Sequence, residues 1–251
     1  MTLLSVAGLS KSFGGVVAAT DVSFALDGGR LTAIIGPNGA GKSTIFNMLG
    51  GQLRPDRGRI TLAGNDITGL APHRIWRLGV GRTFQIAQTF LSMTVLENVQ
   101  MALISLAGRT RACWPDSAGL YHEAALALLA GVGVEEHARR PCLELAYGDV
   151  KRVELAIALA SAPKLLIMDE PTAGMAARER SQLMALIAAI ASERGLGVLF
   201  TEHDMDAVFD HADWVLVLVR GEIIARGHPA EVRADPRVRE VYLGGALASG
   251  A

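Results

Sequence analysis

The sequence has almost no net charge, two cysteines and no long uninterrupted hydrophobic run. Lys and Arg number 24 and Asp and Glu number 25 among 251 residues, which gives a formal net charge of −1. Proteins that bind nucleic acid typically carry a basic face, so this balance predicts no nucleic-acid partner. The longest apolar runs, such as residues 183–191, fall far short of the about 18 apolar residues that cross a membrane. They are typical of helices in a protein core.

Cysteine chemistry and secretion are also not indicated. Cys113 and Cys142 have neither the spacing of metal ligands nor a redox motif around them, so we expect reduced thiols without a functional role. Residues 1–6 lack the charged and apolar segments of a signal peptide. These features predict a cytoplasmic protein.

The most informative stretch is Gly-Pro-Asn-Gly-Ala-Gly-Lys-Ser-Thr at residues 36–44, which matches the phosphate-loop pattern G-x-x-x-x-G-K-[ST]. It follows an apolar run typical of a strand and precedes a segment with helical character, as such a loop must. Glycines let the backbone curl around phosphates, and the N-terminus of the next helix offers N–H groups to them. Lys42 would contact the terminal phosphates, and the Ser43 hydroxyl would bind Mg²⁺. The predicted phosphate-binding residues are Gly36, Pro37, Asn38, Gly39, Ala40, Gly41, Lys42, Ser43 and Thr44.

Two carboxylates end another predicted strand, at residues 164–170. In α/β folds the carboxyl ends of parallel strands face the ligand. Asp169 is therefore predicted to face the Mg²⁺ held by Ser43, and Glu170 to face the water that attacks the γ-phosphate. An isolated acidic pair often only solvates a strand end, but the phosphate loop earlier in the chain favours the functional interpretation.

Four further positions have weaker individual signals. Phe13 stands beside a glycine turn and could stack on an adenine, although a single Phe is more often part of a core. Gln85 ends a predicted strand, where it could approach the Mg²⁺ or the attacking water, but an isolated Gln is usually a surface residue. His203 follows another strand and could bind the γ-phosphate or orient the water, which few single histidines do. Gly148 opens an amphipathic helix that could donate to a phosphate or be an ordinary helix start.

The succession of strand and helix patterns predicts an α/β fold. Residues 2–30 alternate apolar and polar positions around glycine turns, which indicates antiparallel strands. Between residues 86 and 144 the pattern becomes helical, and Thr94 with Glu97 forms a capping-box pattern at the first helix. Near the carboxyl end, two short apolar runs separated by Arg-Gly predict a closing hairpin.

These motifs, in this order and spacing, resemble those of the ATP-binding subunits of ABC transporters over nearly the whole chain. Residues 36–44 resemble the Walker A motif of that family, residues 165–170 its Walker B motif, and residues 145–149 its signature motif. The resemblance implies ATP and Mg²⁺ as ligands. It also implies a P-loop NTPase core with an antiparallel β subdomain and a helical insertion, the ABC ATPase fold.

The resemblance further implies a division of the chain and roles for individual residues. One domain would span residues 1–251, with a core of 1–85 and 145–245, a helical subdomain of 86–144 and a disordered tail of 246–251. The implied catalytic residues are Glu170, His203 and Gln85. The implied Mg²⁺ ligands are Ser43, Gln85 and Asp169. The implied nucleotide contacts outside Walker A are Phe13, Tyr147 and Gly148.

The sequence departs from the family pattern at three residues of the signature motif and at one residue of the D-loop. The usual signature is Leu-Ser-Gly-Gly-Gln, whereas residues 145–149 read Leu-Ala-Tyr-Gly-Asp. Ala146 therefore contributes no hydroxyl to the γ-phosphate, a hydrogen bond worth about 1.5–3 kcal/mol, and backbone N–H groups must carry more of that contact. Asp149 adds a negative charge beside an anion. The D-loop usually ends in Asp, and Ala176 in its place puts that loop's role between subunits in question.

The exact residues of several motifs indicate a narrower group within the family. Among these motifs are Leu-Ala-Tyr-Gly at the signature and Thr-Glu-His-Asp-Met at residues 201–205. They resemble the ATPase subunits of branched-chain amino-acid importers, with importers of urea or short amides as close alternatives. The resemblance implies a second ATPase subunit, identical or paralogous, membrane permease subunits and, indirectly, a periplasmic solute-binding protein. It implies a peripheral location at the cytoplasmic face of the inner membrane. A soluble nucleotide switch is a further alternative, but such proteins usually carry two cassettes, a long coiled coil or a basic face.

Overall fold

Ten strands form two sheets in the part of the chain that this computed structural model describes, residues 2–83, 89–108 and 119–241. The strands are β1 (Thr2–Phe13), β2 (Val16–Asp27), β3 (Leu31–Ile35), β4 (Arg57–Leu62), β5 (Asn65–Asp66), β6 (Val80–Thr83), β7 (Leu165–Asp169), β8 (Gly197–Thr201), β9 (Trp214–Val219) and β10 (Glu222–Gly227). The α-helices of the described ranges are α1 (Lys42–Leu49), α2 (Pro72–Arg77), α3 (Val95–Leu106), α4 (His122–Gly131), α5 (Tyr147–Leu159), α6 (Ala177–Arg194), α7 (Met205–His211) and α8 (Pro229–Ala234).

The larger sheet has six strands in the order β10-β9-β3-β8-β7-β6. Neighbouring strands run parallel from β9 to β6, whereas β9 and β10 form the predicted antiparallel hairpin. β3 contributes Ala33 and Ile35 to a core on one side of the sheet and Ile34 to a core on the other. Because both faces are covered, these strands are continuously apolar instead of alternating. The carboxyl ends of the parallel strands lie along one edge, which positions the loops after β3, β7 and β8 together.

The smaller sheet is antiparallel, has the order β2-β1-β4-β5, and covers one face of the larger sheet together with α1. Leu4 and Phe24 of this sheet share a core with Ile45 and Phe46 of α1. The helices α3, α4, α5 and α6 pack on the opposite face. The predicted antiparallel strands at residues 2–30 and the predicted α/β class are therefore both present.

The capping box predicted at Thr94 is present at the start of α3. The Thr94 hydroxyl accepts a hydrogen bond from the Glu97 N–H at 3.2 Å, and the Glu97 carboxylate accepts one from the Thr94 N–H at 2.7 Å. α5 packs against α3 and α4 and also against β6, so it joins the helical region to the central sheet. The division into a core and a helical subdomain at residues 86–144 stays a prediction. No helix of the described ranges combines the length and the apolar character needed to cross a membrane.

Some predicted features lie outside the described residues, and some observed features had no prediction. Gln85 and the tail at residues 246–251 are outside the described residues. The sequence pattern did not indicate α7 and α8, because helices of 7 and 6 residues are too short to show a periodic apolar face. Cys142 is free and buried, and burial raises the pKa of its thiol, which agrees with the expected unreactive cysteine.

Candidate active site

The phosphate loop follows β3 and ends in the first turn of α1. Gly41 occupies the N-cap of α1 with a φ of 104°, and Gly36 and Gly39 have φ of 157° and 79°. L side chains rarely adopt this region, and at Gly41 a Cβ atom would also lie 2.2 Å from the Ala18 carbonyl oxygen. The first N–H groups of a helix have no carbonyl partner within the helix and attract anions. The loop therefore presents N–H donors in a backbone shape that suits phosphate oxygens.

Lys42 is held inside this loop. Its ammonium group donates to the carbonyl oxygens of Gly36 at 2.6 Å and Pro37 at 3.1 Å. Burial lowers the pKa of Lys42, while the negative charges of Glu170 and Asp169 act in the opposite direction. The lysine is thus close enough to interact electrostatically with both carboxylates, which places the Walker A and Walker B residues in one site.

Asp169 ends β7, and Thr201 ends the neighbouring strand β8. The Thr201 hydroxyl donates to Oδ1 of Asp169 at 2.7 Å and so orients the carboxylate. Mg²⁺ prefers oxygen ligands and is commonly held by one or two carboxylates together with phosphates of the substrate. The Asp169 carboxylate and the Ser43 hydroxyl in the first turn of α1 are donors of this kind. The residues present therefore fit a Mg²⁺ ion.

Glu170 and His203 form a close pair. Nε2 of His203 lies 2.6 Å from Oε1 of Glu170, so a ring proton on Nε2 would be donated to the carboxylate. Glu170 has a φ of 49°, a conformation that costs a non-glycine residue on the order of 1–3 kcal/mol. Its N–H donates to the carbonyl oxygen of Thr201 at 3.2 Å and to the Thr201 hydroxyl at 3.1 Å. These contacts hold the strained backbone of Glu170 in place and keep its carboxylate beside the imidazole of His203. Such a pair can orient a water molecule or accept its proton.

The sequence-based prediction missed three polar residues that support this pair, namely Thr172, Thr201 and Glu202. Oε1 of Glu202 accepts hydrogen bonds from the N–H of Thr172 at 2.9 Å and from its hydroxyl at 2.6 Å. Oε2 of Glu202 accepts from the N–H of His203 at 3.3 Å. A signal for Thr201 and Glu202 was available, because polar residues at the end of an otherwise apolar parallel strand face the ligand edge of the sheet.

The start of α5 lies apart from the phosphate loop of its own chain. A Cβ atom on Gly148 would lie 3.5 Å from the side chain of Met175 and 3.6 Å from that of Glu179, both of which belong to the segment around the start of α6. Within the described ranges, no hydrogen bond or ion pair joins residues 145–149 to residues 36–44. The structure therefore does not bring the predicted signature residues together with the other predicted site residues.

The two unusual residues of the signature have neighbours within the chain. The Asp149 carboxylate lies 3.7 Å from Nε2 of His137, which would offset the negative charge of Asp149 when protonated. Tyr147 is 46% exposed at the first position of α5, and the Lys151 ammonium lies 5.8 Å from the centre of its ring. The start of α5 thus presents an aromatic ring and a helix N-terminus to solvent.

Phe13 lies at the tip of the hairpin between β1 and β2. It is 47% exposed, beside the exposed Val16 and Val17, so the alternative that it belongs to the core is wrong. The Lys11 ammonium lies 5.6 Å from the centre of the Phe13 ring. An exposed aromatic ring beside a cation is chemically able to stack on an adenine whose phosphates carry negative charge.

A phosphate loop between a strand and a helix, a buried lysine, and carboxylates at the ends of parallel strands define a P-loop nucleotide-binding protein. Comparison with known proteins gives the family. A family model described as ABC transporter matches residues 19–173, and one described as branched-chain amino acid ATP-binding cassette transporter matches residues 222–248. The chain belongs to the ABC transporter family.

Similar proteins cover nearly the whole chain. The high-affinity branched-chain amino acid transport ATP-binding protein LivG of Salmonella typhimurium is 39% identical over 250 residues, which cover 96% of this chain and 98% of that protein. The protein of the same description, BraF, of Pseudomonas aeruginosa is 39% identical over 249 residues with the same coverage. The structure of the ADP conformation of MJ1267, an ATP-binding cassette of an ABC transporter, has a TM-score of 0.87 and 32% identity, covering 97% of this chain and 99% of that one. These likenesses confirm the predicted family and fold class.

Proposed function

We propose that this chain is the ATP-hydrolysing subunit of an ABC importer of branched-chain amino acids. The observation that carries the hydrolytic role is the contact of 2.6 Å between Glu170 and His203, beside a lysine buried in a phosphate loop. The solute class is supported by the family match at residues 222–248 and by the printed descriptions of LivG and BraF.

Different residues of the site bind the nucleotide, hold Mg²⁺ and activate the attacking water. The start of α1 and Lys42 bind the phosphates of ATP, and Phe13 stacks on the adenine. Mg²⁺, held by Ser43 and Asp169 with Gln85 as a further predicted ligand, supplies positive charge to the phosphate oxygens when bound. Glu170 orients the attacking water and accepts its proton, and His203 holds Glu170 in place and approaches the γ-phosphate.

A second ATPase subunit completes the site. Tyr147 and Gly148 face solvent and the α6 segment rather than the phosphate loop of their own chain, so they are available to the nucleotide of another subunit. The N–H groups at the start of α5 replace the missing serine hydroxyl as phosphate donors. His137, when protonated, would reduce the charge repulsion that Asp149 otherwise brings to this contact.

Membrane permease subunits dock at an apolar groove on the surface of the cassette. A groove of about 300 Å³ opens between α2, β6, α3 and α5, and its lining is mostly apolar. Apolar grooves of this size accept a helix or loop of a partner. Its lining includes Gln52, Ile75, Trp76, Ala102 and Ile157. Docking there would place the chain peripherally at the cytoplasmic membrane face, with a periplasmic solute-binding protein as an indirect partner.

Replacement of Glu170 by Gln tests the hydrolytic role. The variant E170Q is expected to bind ATP with an affinity close to that of the parent and to hydrolyse it at least about 100-fold more slowly, because the amide cannot accept a proton. The exposed Glu193 at the end of α6 supplies the matched control, E193Q, which is expected to hydrolyse ATP normally. Normal hydrolysis by E170Q would contradict the assignment.

Solute uptake tests the importer role. Membrane vesicles that contain this chain and its permeases are expected to accumulate leucine, isoleucine or valine on addition of ATP, and to lose that uptake in the E170Q variant. Accumulation of urea or a short amide instead would favour the related importers. Full ATPase activity with no association with any membrane protein would favour a soluble nucleotide switch.

A further inference from the structure

We infer that Glu202 is a positioning residue for ATP hydrolysis, because its buried carboxylate fixes the two loops on which Glu170 and His203 stand. The inference rests on the proposed hydrolytic role of that pair. Glu202 lies in the Thr-Glu-His-Asp-Met stretch at residues 201–205, but the sequence assigned it no role. It acts through Thr172 and through the backbone of His203.

The contacts of Glu202 are unusual for an acidic side chain at the end of a strand. Glu202 is 4% exposed and Thr172 is 2% exposed, so the carboxylate is removed from water. Its Oε1 accepts two hydrogen bonds from Thr172, at 2.9 Å from the N–H and at 2.6 Å from the hydroxyl. Its Oε2 accepts from the His203 N–H at 3.3 Å. A buried carboxylate is stable only when hydrogen-bond donors of this kind bind it. The position of the Glu202 carboxylate therefore depends on the positions of both loops.

Thr172 transmits the constraint to Glu170. The two residues belong to one turn, which is closed by a hydrogen bond of 3.2 Å from the N–H of Ala173 to the carbonyl oxygen of Glu170. Glu170 has a positive φ of 49°, which side chains other than glycine rarely adopt. Fixing Thr172 from outside the turn holds that conformation and keeps the Glu170 carboxylate directed at His203.

The sheet itself does not depend on Glu202. β7 and β8 pair in parallel register from Leu165 opposite Gly197 to Asp169 opposite Thr201, and Thr201 hydrogen-bonds to both Asp169 and the Glu170 N–H. Glu202 lies just past the last paired position. Its contacts therefore order the loop ends that carry Glu170 and His203 rather than the strands beneath them.

The effect of substituting Glu202 or Thr172 follows from the hydrogen-bond donors that face the Glu202 carboxylate. In E202Q the amide oxygen can still face the two donors of Thr172, but its NH₂ group then meets the N–H of His203, donor against donor. The loop that carries His203 must shift. In T172V the hydroxyl donor is lost while the N–H remains, and in T172S both donors remain. The pair T172V and T172S therefore separates the hydrogen bond from the shape of the side chain.

The test is single-turnover hydrolysis of radiolabelled ATP by the full-length chain, with ATP affinity and thermal unfolding measured on the same samples. E202Q is expected to hydrolyse ATP about 10- to 100-fold more slowly, as a small misplacement of reacting groups does, while its ATP Kd changes less than about 3-fold. In the E170Q/H203A background the same substitution is expected to cost less than about 3-fold, because both side chains that Glu202 positions have then been replaced. T172S is expected to be faster than T172V.

Two results would overturn the inference. One is an equal loss from E202Q in the parent chain and in the E170Q/H203A background, which would indicate a general structural role. The other is an unchanged rate in E202Q. If E202Q does not fold, equal rates of T172V and T172S would overturn the inference, and a faster T172S would support it. Normal turnover by E170Q would refute the proposed function itself, whereas inactive E170Q with normal E202Q would refute only the role of Glu202.

Discussion

Substitution of Gly41 by Ala should destabilise the whole cassette. Gly41 has a φ of 104°, and an alanine in that region costs roughly 1–2 kcal/mol. The added Cβ would lie 2.2 Å from the carbonyl oxygen of Ala18, a backbone atom near the start of β2. Relief requires α1 to move away from the antiparallel sheet, and overpacking of this kind costs about 1–3 kcal/mol more. We expect G41A to lose about 2–5 kcal/mol of unfolding free energy.

Two hydrogen bonds make this movement difficult. The N–H of Gly221 donates to the Ala40 carbonyl oxygen at 2.8 Å, and the N–H of Thr20 donates to the Gly221 carbonyl oxygen at 2.9 Å. The turn between β9 and β10 therefore ties the phosphate loop to β2 at the position where the clash would arise. A shift of α1 would break this link and would also displace the N–H groups that bind phosphate, so ATP affinity should fall at least about 10-fold.

Gly64 supplies the matched control. It has a φ of 82° in the turn between β4 and β5, and a Cβ atom there would meet nothing within 4 Å. G64A should therefore lose only the conformational cost of roughly 1–2 kcal/mol and keep its ATP affinity. Urea denaturation measures both variants, and at about 3 kcal/mol per M the loss in G41A moves the midpoint by about 1 M. Equal midpoints for G41A and G64A would refute the role of the Ala18 contact.

Two further predictions concern single hydroxyl groups. T201V removes the hydroxyl that orients Asp169 at 2.7 Å, so the Mg²⁺ concentration for half-maximal ATPase activity should rise about 10-fold. The control T201S keeps the hydroxyl and should need a Mg²⁺ concentration close to that of the parent. No rise in T201V would contradict the supporting role of Thr201. T94A removes the cap of α3 and should cost about 1 kcal/mol of unfolding free energy near neutral pH. The Thr94 N–H and, to a lesser extent, its hydroxyl lower the pKa of Glu97, and T94A removes only the hydroxyl. Part of the stability difference should therefore disappear as the pH falls through that lowered pKa, and a difference unchanged in acid would refute this.

The phosphate loop could be predicted because its chemistry is local. Nine adjacent residues carry the glycines, the lysine and the hydroxyl, and the flanking strand and helix are visible in the same stretch. The contacts of Glu202 could not be predicted, since Thr172 lies 30 residues earlier in the chain and meets it only through the parallel register of β7 and β8. The same holds for Thr201 and Asp169, which are 32 residues apart. Sequence spacing fixes which residues end a strand, but sheet order decides which strand ends are neighbours.

The charge environment of the signature motif could not be predicted from the sequence either. The sequence places an acid, Asp149, where a phosphate is expected, but the position of His137 near it depends on how the turn before α5 folds. The exposure of Phe13 could not be predicted for another reason, because a single Phe has no periodic pattern around it from which its exposure could be judged. Its placement at a hairpin tip is a consequence of the turn at residues 14 and 15.

The balance of charges around the site favours a cation beside a bound nucleotide. Asp169, Glu170 and Glu202 bring three carboxylates to adjacent strand ends, and Lys42 is the ammonium group that interacts with the first two. A nucleotide triphosphate adds several negative charges to this surplus, and like charges a few ångströms apart repel by several kcal/mol when partly buried. Lys42 and the Arg82 guanidinium, which interacts electrostatically with Asp169, bring only two positive charges against them. Asp169 and Ser43 would hold a Mg²⁺ ion that supplies positive charge at this edge of the sheet, so the orientation of Asp169 by Thr201 would affect nucleotide binding as well as hydrolysis.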